Sequence, residues 1–389
     1  MKEWNWLSEE LDRLREQELC RTMTVLEGPQ TTVVESAGRP QRLFSSNNYL
    51  DLANDPEVKA AAREALDQYG VGAGGSRLTT GTGPLHVRLE EELARFKGRE
   101  AALVFNTGYM ANVGILSALM GRGDVIFSDQ LNHASIIDGC RLSGAEVVVY
   151  RHNDMADLEA KLGAYRGRKG LIVSDGVFSM DGDLVPLPQL VELAKRYGVR
   201  TMIDEAHATG VVGATGRGTE EYYHMEGSVD VLMGTLSKAV GSEGGFVCGS
   251  AELIQYLINK ARSFIFSTAL SPVTMAAGLR GLQKIQEEPQ RVAQLRDNMA
   301  FLCRELGRYG IPAQSDSAIL PIIVGEEKKA MAAMEALKER GYYVSAIRYP
   351  TVARGSARLR VALMSSHTRE ELAGLAQALA CVLGRNTKI

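Results

Sequence analysis

Lys238 stands alone among small and hydroxylated residues in the stretch GTLSKAVGSEGG, which runs from Gly234 to Gly245. A primary amine forms a Schiff base with a carbonyl, and burial or a nearby cation lowers its pKa and frees the lone pair. Small neighbours let a ligand lie close to the backbone. The plain alternative is a loop that happens to hold a lysine. Other candidates occupy comparable places. Asp204 ends the apolar run TMID and could pair with a protonated ring nitrogen. His207 lies three residues on and could donate to a phenolic oxygen. His133 follows IFSDQLN and could lie over a flat ring. Thr107-Gly108-Tyr109 opens a helical pattern straight after an apolar run, where free N–H groups and the helix dipole suit a phosphate. Singly, each has an ordinary reading: a βα turn, a cap, an ion pair, a structural histidine. Together, a phosphate cradle, a ring-nitrogen partner, a phenol-oxygen donor, a stacking group and an amine describe pyridoxal phosphate.

These groups must be brought together by the elements that precede them. AALVFN (101–106), DVIFSD, AEVVVY, GLIVSDGVF, VRTMIDEAH and DVLMGTL are apolar, mostly β-branched runs of strand length. Helical patterns alternate with them, such as GYMANVGILSALM and LPQLVELAKRYG, the second closing at Gly198. This alternation predicts an α/β fold with a mostly parallel sheet covered by helices on both faces. Ligands of such sheets sit at the carboxyl ends of the strands, where Asn106-Thr107-Gly108, Asp175, Ser179, Asp204, His207 and Thr235 to Lys238 fall. From about residue 271 the pattern changes to two long helices and then mixed strands and helices. The expected division is an N-terminal helix and small segment (1–50), a large cofactor-binding domain (51–270) and a smaller α+β domain (271–389).

Composition narrows the function classes. The chain has 389 residues and a net charge of -3, which gives no reason to expect nucleic acid or an anionic membrane as partner. No apolar run approaches the ~20 residues of a membrane span. The N-terminus lacks an apolar signal core, so the cytoplasm is expected. The five cysteines contain no C-x-x-C, and there is no H-E-x-x-H, so neither a zinc ribbon nor a catalytic metal is expected. GVGAGG near residue 71 follows a helical segment, which argues against a nicotinamide-dinucleotide fingerprint.

Several longer stretches, VSDGVFSMDGDLVPL, IDEAHATGVVGATGRG, GTLSKAVGSEGG, FSSNNYLDL, GGSRLTTGTGPLHVRLEEELARF and ARLRVALMSSHT, resemble the α-oxoamine synthases. These are pyridoxal-phosphate transferases of fold type I that condense a small amino acid with an acyl thioester and release carbon dioxide. The resemblance covers residues 20 to 385. It implies Lys238 as the Schiff-base lysine and general base, Asp204 as the pyridinium partner, and His133 as the stacking histidine. It places His207 and Ser179 near the phenolic oxygen, and Thr107, Gly108, Tyr109 and Thr235 by the phosphate. Ser267 and Thr268 of FSTALSP would reach the phosphate of a partner subunit, which implies a homodimer with shared active sites. Asn47 and Arg360 would hold the amino-acid carboxylate. Arg21, Arg348 and Thr351 would meet the acyl substrate. SAIRYPTVARGSARLR and GGSRLTTG resemble the branch that joins L-alanine to a pimeloyl thioester (on coenzyme A or a carrier protein) for biotin synthesis. Glycine with an acetyl thioester is the alternative, and a non-catalytic subunit of the same fold a third. Asn48 and Asp51 depart from the family pattern SNDYLGL, and Tyr349 and Ala353 from RPPTVP.

Overall fold

The computed structural model describes residues 4–17 and 19–385. Two strands, β1 (Val33–Ser36) and β2 (Arg39–Leu43), form an antiparallel hairpin. The central sheet is built from β3 (Ala101–Phe105), β4 (Val125–Asp129), β5 (Glu146–Tyr150), β6 (Gly170–Asp175), β7 (Arg200–Asp204), β8 (Val231–Thr235) and β9 (Gly245–Gly249). Their order is β3-β9-β8-β7-β6-β4-β5. All neighbouring pairs from β8 to β5 are parallel, while β9 runs antiparallel between β3 and β8. The mostly parallel sheet follows the expectation from sequence. The antiparallel strand does not, because GFVCG is short, glycine-bracketed and free of any alternation that would betray it.

Successive side chains of a strand face opposite sides of the sheet. Ile172, Ile203, Leu232 and Phe246 accordingly join one apolar layer, with Leu190, Val191 and Ala194 of helix Leu187–Tyr197. Leu171, Val173, Met202, Val231 and Met233 join the other, with Ala111, Ile115 and Leu116 of helix Gly108–Leu119 and Ile136 of helix Ala134–Ser143. Burial on both faces explains why these strands read as unbroken apolar runs. Gly198 closes its helix in the left-handed conformation, as its position in the sequence suggests.

Towards the C-terminus come β10 (Ile319–Gly325), β11 (Tyr342–Tyr343), β12 (Ser345–Ile347) and β13 (Ala357–Ala362). The apolar run YYVSAIR divides at the buried Val344. Its first half, β11, pairs with β2 in parallel, and its second half, β12, pairs with β13. One apolar side chain turned inward thus ties the N-terminal hairpin to the C-terminal sheet β10-β13-β12. His367 strengthens that junction by stacking on Phe44 at 4.2 Å. Helix Pro272–Glu287 packs on helices Pro56–Tyr69 and Pro84–Lys97.

Two elements beside the candidate site, β9 and the turn that starts helix Gly108–Leu119, touch through bare backbone. A Cβ added to Gly245 would lie 2.5 Å from the Thr107 carbonyl oxygen and 2.7 Å from Gly108 Cα. Only glycine lets β9 run this close to the turn that starts helix Gly108–Leu119. Gly245→Ala is therefore expected to cost about 1–3 kcal/mol in a denaturant titration and to weaken cofactor binding by displacing that turn. A variant as stable as the parent, with unchanged cofactor affinity, would show the contact to be unimportant.

Candidate active site

A cavity of about 180 Å³ opens at the carboxyl ends of the parallel strands. It is lined by Gly108, Tyr109, Asn112, His133, Ser135, Asp175, Asp204, Ala206, His207, Met233, Thr235 and Lys238. The register explains the gathering: Asp175 is opposite Asp204 on β6 and β7, and Thr235 is opposite Gly245 on β8 and β9. Helix Gly108–Leu119 begins at the end of β3. The Thr107 hydroxyl caps it by accepting from the Met110 N–H at 3.0 Å, and the Gly108 and Tyr109 N–H groups have no intrahelical partner. At Gly108 a Cβ would stand 3.3 Å from Met233 Cε and 3.6 Å from Thr235. Its absence leaves that space to a ligand.

Asp204 is buried and its carboxylate is held at both oxygens. Asn112 Nδ2 donates to Oδ2 at 2.7 Å, and the Ala206 N–H donates to Oδ1 at 2.8 Å. Asn112 also donates to Ser135 Oγ at 2.8 Å. Sequence reasoning missed Asn112, although a lone amide inside the apolar helix GYMANVGILSAL was a visible signal. His133 caps helix Ala134–Ser143. Its Nδ1 meets Ser135 Oγ at 2.7 Å, its backbone N–H donates to Asp175 Oδ2 at 2.7 Å, and its ring stays open to the cavity. Burial and the neighbouring Asp204 push Asp175 well above the usual carboxylate range. Burial draws the Lys238 amine down to about 8, against the opposing pull of Asp204 and Asp175. Burial, with Lys238 and Arg360 nearby, keeps His207 neutral, well below the usual imidazole range.

Arg360 reaches the same region from β13. It is buried, donates through Nε to the Ser179 carbonyl at 2.6 Å and through Nη2 to Asn47 Oδ1 at 3.3 Å. Ser179 lies outside the cavity lining and meets Arg360 through its backbone. The Thr235 hydroxyl donates to the Gly244 carbonyl at 2.7 Å, and the Tyr109 hydroxyl to Asp138 at 2.5 Å. Ser267 and Thr268 are also away from the cavity: Ser267 Oγ donates to the Ser263 carbonyl, and the Thr268 carbonyl accepts from Asn106 Nδ2. Arg348 donates to the Cys20 carbonyl at 3.3 Å, which brings the segment bearing the exposed Arg21 beside Arg348 and Thr351.

The departures at Asn48 and Asp51 compensate each other. Asp51 sits at φ +55°, the left-handed region that explains a glycine in the family pattern and that aspartate tolerates better than most residues. Asn48 Oδ1 accepts from the Leu52 and Ala53 N–H groups, as a carboxylate would. Its Nδ2 donates to Gln30 O and to Asp51 Oδ1. The amide thus supplies a donor to the very carboxylate that replaces the glycine.

The fold and the cavity define a pyridoxal-phosphate enzyme of the type I fold. The donor set fits the group: a buried carboxylate with both oxygens anchored, an open imidazole face, a helix N-terminus without a Cβ, and a lysine with a depressed pKa. The description of aminotransferase class I and II matches residues 39–379. An 8-amino-7-oxononanoate synthase of Geobacter sulfurreducens is 50% identical over 95% of this chain and 96% of its own. Among solved structures, a serine palmitoyltransferase of S. paucimobilis with a bound PLP–myriocin aldimine matches 98% of both chains at 32% identity and a TM-score of 0.92. An 8-amino-7-oxononanoate synthase of Francisella tularensis matches 87% of this chain and 96% of its own at 30% identity and a TM-score of 0.76. The chain belongs to the α-oxoamine synthases of the class I and II aminotransferase family, and its cofactor is pyridoxal phosphate.

A lysine drawn down to about 8 loses its proton two to three pH units earlier than a free one. Reaction of the cofactor-free chain with a small aldehyde, trapped by borohydride at Lys238, should rise steeply between pH 7 and 9 and level off above. Peptide mapping of the trapped adduct checks this. A rise centred near pH 10.5, the ordinary lysine range, would refute the depressed pKa.

Proposed function

We propose that the chain joins L-alanine to a pimeloyl thioester, releasing carbon dioxide and the thiol, to give 8-amino-7-oxononanoate. The observation that most supports this reading is 50% identity over more than nine-tenths of both chains with relatives named for that product. It is a pyridoxal-phosphate-dependent acyltransferase. When bound, the cofactor supplies an electron sink for the carbanion at the amino-acid Cα. On this reading Lys238 would hold it by its amine, Asp204 would face its ring nitrogen and His133 its ring. His207 would stand by its ring oxygen, and Thr107, Gly108, Tyr109 and Thr235 by its phosphate, while Ser179 would act through the backbone carbonyl that holds Arg360.

The side chains then divide the remaining work. Arg360 and Asn47 bind the amino-acid carboxylate, since a guanidinium fork fixes a carboxylate in plane. Lys238, about half deprotonated near pH 8, takes the Cα proton as general base. Arg21, Arg348 and Thr351 receive the acyl chain, whose far carboxylate suits two arginines in one patch. Lys238 follows a strand of the large sheet and Arg360 lies on the small one, which supports a large and a small domain, with helix Pro272–Glu287 packed on helices of the large one. No helix among the described residues is long and apolar enough to cross a membrane, and we place the enzyme in the cytoplasm as a homodimer. The likeness of the backbone to serine palmitoyltransferases makes serine with a long acyl thioester the second reading.

Specificity constants for alanine with pimeloyl-CoA, glycine with acetyl-CoA and serine with palmitoyl-CoA separate these readings. The first pair should win clearly on the acyl side. Alanine should lead glycine only modestly, because one methyl group is worth ~1–3 kcal/mol in an apolar pocket. A clear win for either other pair would displace the proposal. The shared site has its own test. Lys238→Ala chains should be inactive alone. Mixed with chains carrying Ser267→Ala and Thr268→Ala, they should regain activity, because one hybrid site carries neither lesion. A fully active monomer in sedimentation would overturn the dimer.

A further inference from the structure

Tyr49 belongs to neither the cavity lining nor any role given above, yet it joins two of the proposed functional groups. It is fully buried. Its hydroxyl lies 2.7 Å from His207 Nδ1 and 3.0 Å from Asn47 Oδ1. Asn47 Oδ1 also accepts from Arg360 Nη2. The direction of each bond in this chain follows from proton counting. Arginine can only donate, so the atom that Asn47 turns towards it is the carbonyl oxygen rather than the amide nitrogen. The same oxygen faces Tyr49, so the tyrosine must give its one proton to Asn47. Tyr49 is then an acceptor towards His207, and His207 Nδ1 must carry a proton. A neutral imidazole holds one proton, so its Nε2 has none.

We infer that Tyr49 is a positioning residue that fixes His207 as the Nδ1–H tautomer, so that the nitrogen left for the cavity is an acceptor. This rests on the reading of His207, Asn47 and Arg360 as parts of the active site, and it reverses one detail of the expectation from sequence, in which His207 donates. The group that His207 meets in the cavity must bring its own proton. The arrangement also couples two subsites. The chain runs from Arg360, which would bind the carboxylate, through Asn47 and Tyr49 to His207. A change in the Asn47 amide is therefore felt as a change in which His207 nitrogen bears the proton.

The tautomer can be read without cofactor or substrate. In the cofactor-free chain labelled with 15N-histidine, long-range 1H–15N spectra distinguish protonated from bare ring nitrogens, and His207→Gln assigns the signals. The parent should show a protonated Nδ1 and a bare Nε2. Tyr49→Phe removes the acceptor and should move the proton to Nε2. Asn47→Leu should do the same while Tyr49 stays in place, because the freed hydroxyl then donates to Nδ1. Asn47→Asp keeps an acceptor and should leave the proton on Nδ1. A protonated Nε2 in the parent overturns the inference, as does a tautomer indifferent to both Tyr49→Phe and Asn47→Leu. In the loaded enzyme Tyr49→Phe should lower kcat by at least about tenfold. A flipped tautomer with unchanged turnover would overturn the positioning role, whereas failure of the alanine and pimeloyl reading would leave the spectra as expected.

Discussion

The site depends on holding several charges in one desolvated place. Asp204, Asp175, Lys238 and Arg360 converge where burial opposes every ionised form. The structure meets this by uneven treatment of like groups. Asp204 has donors on both oxygens, from Asn112 and the Ala206 N–H. Asp175 accepts the His133 N–H at Oδ2 and is pushed towards its neutral form by burial and by Asp204. Two neighbouring carboxylates are thus treated differently: Asp204 is anchored at both oxygens, while Asp175 is driven towards its neutral form. The same burial that costs Lys238 its proton makes its amine a nucleophile and a base near neutral pH.

Such electrostatics demand positional accuracy, and the backbone supplies it. The parallel strands deliver Asp175, Asp204 and Thr235 to one level by register. The antiparallel β9 then returns along Thr107 and Gly108 at a distance no side chain would permit. On the other side, the small sheet delivers Arg360, whose hydrogen bond to the Ser179 carbonyl fixes the loop after β6. The clasp β2-β11, with His367 stacked on Phe44, ties the segment carrying Asn47 and Tyr49 to that sheet. The groups proposed to bind substrate and those proposed to bind the cofactor are therefore set by different layers of the molecule and meet only after folding.

The likeness to known proteins divides along the same line. The backbone matches a serine palmitoyltransferase at a TM-score of 0.92 and an 8-amino-7-oxononanoate synthase at 0.76, while relatives named for the latter product reach 50% identity. Fold records the chemistry that the members share. Side chains around the amino-acid and acyl subsites decide which substrates enter, so the closer sequence likeness carries more weight for specificity.

The sequence by itself determined the parallel sheet, because strands buried on both faces must be apolar throughout, and it marked Lys238, Asp204 and His207 as polar residues at the ends of such runs. It also exposed the amine among glycines, since nothing in a helix or a solvated face calls for that composition. Other features were visible without being interpretable: Asn112 as a lone amide in an apolar helix, Asp51 in place of a glycine. Their meaning lies in partners 92 residues away at Asp204 and three residues away at Asn48. What only the tertiary structure decided are the contacts between distant segments: β9 as an antiparallel insertion, the break of YYVSAIR at Val344, and the bond from Tyr49 to His207 across 158 positions. Local propensity cannot report these, because a hydrogen bond between distant residues is set by where the whole chain packs and leaves no period or spacing in the sequence.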